Sequence, residues 1–188
     1  HPVPVLGPHV ATKAAGKRPV MKSWEAVCAT ADPTEITRWT NAQRNCTNTG
    51  LLCGTLIGVD IDVLDEEKTA HLIALASEML GVTPAKRIGR APKILLAYRT
   101  ETPFDKIQTP EFHMLEGMVA RVEILATGQQ FVAFGTHPDT KAPYHWPDSS
   151  PLDLALADLP AVSKEMCAAF IAAAEAYLRK VGGQRTAD

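Results

Sequence analysis

Leu56-Ile57-Gly58-Val59-Asp60-Ile61-Asp62-Val63 places two carboxylates at alternate positions of an apolar run. On a β-strand, that period of two sends Asp60 and Asp62 to one face and Val59, Ile61 and Val63 to the other. The apolar face asks for a core. The acidic face sets two like charges side by side, which costs several kcal/mol unless a cation or hydrogen-bond donors compensate. A divalent metal is the natural candidate.

Working outward, Val119-Ala120-Arg121-Val122-Glu123-Ile124-Leu125 is a second strand-like run with a lone carboxylate. Asp60, Asp62 and Glu123 on neighbouring strands would supply the hard-oxygen ligands that Mg²⁺ or Mn²⁺ takes in phosphoryl transfer. The competing reading is simpler: a short Asp-x-Asp pair runs into a solvated loop, and Glu123 pairs with Arg121 or another base.

The surrounding pattern mixes strands and helices. Residues 1–6 read as extended, and Asp32-Pro33 is a helix start, with Ile36 and Trp39 on its apolar side. Strands are predicted over 50–53 and 56–63 with a tight turn at Gly54-Thr55. Asp65-Glu66-Glu67 opens a helix whose Leu72, Leu75, Ala76 and Met79 share a face, and Gly81 closes it. Further strands are predicted over 85–88, 93–99, 118–125 and 130–134, with an irregular stretch over 101–116 and a strand-like Tyr144-His145-Trp146. After a proline-rich connector, a last helix over 162–181 carries Met166, Phe170, Ala173 and Tyr177 on one core-facing stripe. The absence of regular βαβ alternation predicts an α+β domain over 1–181, with 182–188 a flexible tail or the start of a linker.

With 188 residues, the chain suffices for one sizeable domain of up to two lobes. No run reaches the length of a membrane span and no signal-peptide pattern opens the chain, so a cytoplasmic protein is expected. His1 rather than Met stands first, as in a piece of a longer protein. Cys28, Cys46, Cys53 and Cys167 lack zinc-ligand spacing and read as reduced, packed thiols. A formal net charge of −2 excludes coating nucleic acid through bulk charge. Two local basic stretches remain, Lys13-Lys17-Arg18-Lys22 and Lys86-Arg87-Arg90-Lys93-Arg99.

Several blocks, in order, carry a resemblance. Gly16-Lys17-Arg18-Pro19 is followed by Trp24, by Asp32-Pro33 and by Ile36 to Trp39. Next come Asn48-Thr49-Gly50, Gly54 and Val59-Asp60-Ile61-Asp62, then Val122-Glu123-Ile124, Gly128 and Gln130-Phe131-Val132, and last Gly135-Thr136-His137-Pro138 through Tyr144-His145-Trp146. Together they resemble the N-terminal catalytic domain of bifunctional DNA primase/polymerases, in the archaeo-eukaryotic primase superfamily of phages, plasmids and prophages.

The resemblance implies a primase-polymerase core: an RRM-like mixed or antiparallel sheet with flanking helices and a second small α/β lobe. It implies DNA-templated nucleotidyl transfer with Mg²⁺ or Mn²⁺ held by Asp60, Asp62 and Glu123. DNA template and primer and nucleoside triphosphates would be the partners, with a helicase domain C-terminal in the full protein. The family's Ser-x-His between the two acidic motifs is absent. Arg87, Arg90 and Lys93 stand in that region, and they and His137 are the expected nucleotide-binding residues. Lys17 and Arg18 read as a solvated loop, and Trp24, Trp39 and Trp146 as packing. The remaining alternatives are a metal-dependent nuclease, disfavoured by Leu125 where many such enzymes carry Lys, and a non-catalytic DNA-binding module of a replication protein.

Overall fold

The acidic strand lies in the middle of the larger of two antiparallel sheets. The computed structural model describes residues 1–12, 15–114 and 117–185. Along the chain come Pro2–Val5 (β1), Trp24–Thr30 (α1), Pro33–Ala42 (α2), Asn48–Leu52 (β2), Leu56–Asp62 (β3), Glu66–Leu80 (α3), Lys86–Arg87 (β4) and Ile94–Arg99 (β5). Then follow Ile107–Gln108 (β6), Phe112–His113 (β7), Val119–Leu125 (β8), Gln130–Phe134 (β9), Lys164–Lys180 (α4) and Gln184–Arg185 (β10). The large sheet runs β10-β7-β8-β3-β5-β4, with β6 also on β8, and the small sheet runs β1-β2-β9.

The period of two in β3 decides which face does what. Ile57, Val59 and Ile61 are fully buried against Leu72 and Ala76 of α3 and Phe170, Ala174 and Leu178 of α4. The helices thus cover one face and leave the acidic face to the second lobe. That lobe has its own core, in which Val3, Val5 and Val132 of the small sheet meet Cys28 of α1 and Trp39 of α2. The lobes join where Phe131 of β9 packs with Leu95 and Leu125 on the open face of the large sheet. Gly58 makes this approach possible, because a Cβ there would stand 3.0 Å from the Phe131 ring.

Several sequence expectations are corrected. Gly54-Thr55 does not close a hairpin: β2 pairs with β1 and β9, β3 pairs with β5 and β8, and the turn carries the chain from one sheet to the other. Helix α1 is an element the sequence pattern does not predict: Ser23, a residue type favoured at helix starts, stands there without a side-chain cap. The stretch 101–116 contains β6 and β7; residues 115 and 116 lie outside the described residues, as do Lys13 of the first basic stretch and 186–188 of the expected tail. Within that tail, Gln184 and Arg185 pair with His113 and Phe112.

The stripe predicted for α4 is rotated by one position. Cys167, Phe170, Ile171, Ala174 and Leu178 are buried, whereas Met166 is 37% exposed and Tyr177 lies at the margin, stacked on His71. Both stripes have helical period, and only the seat of α4 on the sheet selects one. Trp39 is buried, and Trp24 and Trp146 pack partly buried against the cores. No helix among the described residues is long and apolar enough to cross a membrane.

Candidate active site in the cleft between the sheets

Strand register builds the site. Asp60 of β3 stands directly opposite Glu123 of β8 on one side and Leu95 of β5 on the other; Asp62 stands opposite Arg121. Leu95 in turn faces Arg87 of β4, and Gln108 of β6 faces Glu123. Directly opposed residues project to the same face, as do residues two apart on a strand. Asp60, Asp62, Glu123, Arg121 and Arg87 therefore share the face opposite the helices, and Lys93 and Lys106 join it from the ends of β5 and β6. They line a cavity of about 330 Å³ whose far wall is Gln130–Val132 of β9 with His137 and Tyr144.

Each acid has a base against it. Lys93 Nζ contacts Asp62 Oδ1, and Lys106 Nζ contacts Glu123 Oε1. Arg121 Nε lies 3.4 Å from the same Glu123 oxygen, and Arg87 Nη2 lies 4.0 Å from Asp60 Oδ1. Asp60 is the least compensated: desolvation at the cleft floor pushes its carboxyl up to about 6, Arg87 opposing and Asp62 and Glu123 adding to the rise. Its side chain retains 28% of its exposure, so solvent moderates that cost.

Arg87 is a fixture of the lobe interface. Its Nη1 donates to the carbonyl of Val132 on β9, and its guanidinium lies 4.9 Å from the Tyr144 ring centroid. Burial lowers its pKa, against the neighbouring Asp60 charge. Of the expected nucleotide-binding residues, Arg90 lies at the mouth, 3.8 Å from Asp139, while Arg87 sits on the floor.

His137 is buried in the turn after β9. Its Nδ1 accepts from the backbone N–H groups of Asp139 and Thr140 at 3.2 and 3.3 Å, which fixes the neutral imidazole with its proton on Nε2. Desolvation, then the charge of Lys17, lowers its pKa. The loop bearing Lys17 is joined to this turn by one side chain: buried Asn48 donates from Nδ2 to the carbonyls of Gly16 and Thr136 and accepts at Oδ1 from the Thr136 N–H. Gly135, at φ +112°, makes room for that amide, since a Cβ would stand 2.1 Å from Asn48 Oδ1.

The seven residues singled out from sequence, Asp60, Asp62, Glu123, Arg87, Arg90, Lys93 and His137, all line this one cavity. Among the described residues, however, no three His, Cys, Asp or Glu side chains close around a common point, because each acid is turned to its own base. The donor set still suits a hard divalent cation. It is all carboxylate oxygen, and Asp62 Oδ1 and Glu123 Oε1 are buried without a directional hydrogen bond despite their ion contacts. Sequence reasoning did not single out Lys106, Tyr144 or Asn48. Lys106 reaches the site only through the β6–β8 pairing, whose two-residue strand has no sequence signal, and Asn48 acts across 88 residues.

A search of curated proteins finds no match to the chain. The model of the Prim-Pol family, described as bifunctional DNA primase/polymerase, N-terminal, matches residues 2–162 and so spans β1 to β9 and every residue of the cleft. Primase and polymerase activity in replication, with DNA and nucleotides as substrates, is the activity of that family, and the chain belongs to it: it is a Prim-Pol domain.

Proposed function

We propose that the chain catalyses DNA-templated nucleotidyl transfer with Mg²⁺ or Mn²⁺ held by Asp60, Asp62 and Glu123, in phage, plasmid or prophage replication. The observation that carries this reading is the facing pair Asp60 and Glu123, with Asp62 on the same face, at the floor of a cleft that basic side chains surround. Bound ions would lower the pKa of the primer 3′-hydroxyl and neutralise charge that develops on the triphosphate and departing pyrophosphate.

The chain's own residues bind and orient. Arg87, anchored to Val132, holds Asp60 ionised beside two other acids. Arg90, Lys93 and Lys17 present charge to phosphate oxygens from the mouth and walls. His137 donates from Nε2, its tautomer set by the two backbone donors on Nδ1. Lys93, at the entry to β5, stands in the region where the family's second motif usually places a His. A lysine there gives a point contact in place of an oriented ring donor. Extension is accordingly expected to be more robust than de novo priming. In the full protein a helicase domain would follow the tail, and the enzyme would work on cytoplasmic DNA.

Primer extension with labelled template, dNTPs and Mg²⁺ or Mn²⁺ tests the reading. Products that disappear in Asp60→Asn support it. Binding of primed DNA without extension would replace it with a DNA-binding module; degradation of the labelled strand by wild type and not by Asp60→Asn would replace it with a nuclease.

A further inference from the structure

Lys93 and Lys106 flank the row of acids from its two ends, one on Asp62 and the other on Glu123. We propose that both lysines serve two partners in turn, neutralising the carboxylates in the metal-free protein and moving to the triphosphate when the carboxylates take up metal, so that metal and nucleotide bind with positive cooperativity. The proposal rests on the reading of Asp60, Asp62 and Glu123 as metal ligands.

Charge and reach both argue for it. Among the described residues, six basic side chains line the cavity, Lys17, Arg87, Arg90, Lys93, Lys106 and Arg121, against four acidic ones, Asp60, Asp62, Glu123 and Asp139. The metal-free cleft already carries a positive surplus, and a divalent cation added alone would increase it within a site of low effective permittivity. A polyanion entering with the metal offsets that charge. The lysine contacts also occupy the oxygens a metal needs: Asp62 Oδ1 and Glu123 Oε1 are the atoms the ammonium groups touch and the ones left without directional hydrogen bonds.

The two lysines are held by fewer contacts than Arg87 and Arg121. Arg87 is tied to Val132, and Arg121 lies between Glu111 and Glu123. Lys93 and Lys106 each contact a single carboxylate and face the cavity on four-carbon stems that let an ammonium group move several ångströms without moving the backbone. Such an exchange makes each ligand improve the affinity of the other by the same factor.

The decisive experiment measures Mn²⁺ binding to the chain alone by electron paramagnetic resonance, and the KM for dNTP in primer extension, in the same variants. Lys106→Met is expected to bind Mn²⁺ about fivefold or more tighter than wild type while its KM for dNTP rises about fivefold or more, and Lys93→Met to do likewise. A structural role would weaken both. Lys164→Met removes the same charge from the start of α4, outside the cavity, so its Mn²⁺ affinity should stay within about twofold of wild type. Thermal melts verify folding of each variant, and Lys106→Gln repeats the measurement should the Met variant not fold.

Mn²⁺ affinity unchanged or weakened in both Lys106→Met and Lys93→Met, with wild-type binding lost in Asp60→Asn, overturns the exchange and leaves the metal site standing. Absence of Mn²⁺ binding by wild type, or binding undiminished in Asp60→Asn, overturns the metal site and the exchange together.

Discussion

Asp60 stands directly opposite Glu123 across the β3–β8 ladder, so two carboxylates of adjacent strands project side by side onto the open face of the sheet. Like charges in that register oppose folding unless compensated. For Asp60→Asn we expect loss of primer extension by about a hundredfold or more, since an amide cannot supply the charge that holds a cation. In the absence of metal, the same variant should melt about 2–6 °C higher than wild type at neutral pH, because the desolvated charge is gone. Differential scanning calorimetry in a chelating buffer measures this.

The pH dependence of that difference has a fixed sign. The Asp60 carboxyl rises from 3.8 to about 6 on folding, so the folded chain binds the proton more tightly than the unfolded one. The stabilisation is complete below the unfolded value and is lost as pH rises through the folded one. The advantage of Asp60→Asn over wild type should therefore be small near pH 4, grow to about pH 6 and level off above about pH 7. An advantage that shrinks as pH rises would contradict the assigned cause.

Asn48→Ala should be costly for a residue that touches no substrate. It removes three hydrogen bonds at once and leaves the polar groups of Gly16 and Thr136 without their partner. The expected loss is about 2–4 kcal/mol in urea unfolding. Because Lys17 and His137 lose their anchor together, KM for nucleotide should rise more than kcat falls.

Arg90→Ala probes the mouth of the cleft. Arg90 is 44% exposed and lies 3.8 Å from Asp139, so its removal costs little stability. As a phosphate contact to the triphosphate, it should raise KM for nucleotide and leave DNA affinity unchanged. A drop of about one in the salt dependence of primed-DNA binding, with KM unchanged, would assign it to the nucleic-acid track.

His137→Ala should weaken nucleotide binding at all pH values from 7 to 9, because the imidazole is already neutral there and acts as an Nε2–H donor. Burial and Lys17 hold its pKa below the ordinary value. The folded state therefore resists protonation, and stability should rise with pH up to about 6.5 through this residue. Imidazole NMR titration of wild type and Lys17→Met checks it: loss of the Lys17 charge should raise the His137 pKa.

Local periodicity made much of this legible. The alternation over residues 56–63 fixed β3, its buried face and its acidic face, because a period of two leaves no other way to bury Val59 and Ile61. The run over 119–125 did the same for Glu123. Asp32, Asp65 and Ser163 cap three of the four helices through contacts three residues away, which sequence can show. Pairing between distant segments decided the rest. Whether β2 joins β3 or β9, which stripe of α4 faces inward, and that Lys106 meets Glu123 while Arg87 is locked under Tyr144 depend on packing between elements far apart in the chain. The side chains of a strand carry a face and a period and no record of the partner strand; the partner is chosen by the summed burial of whole sheets, which exists only once the chain has folded.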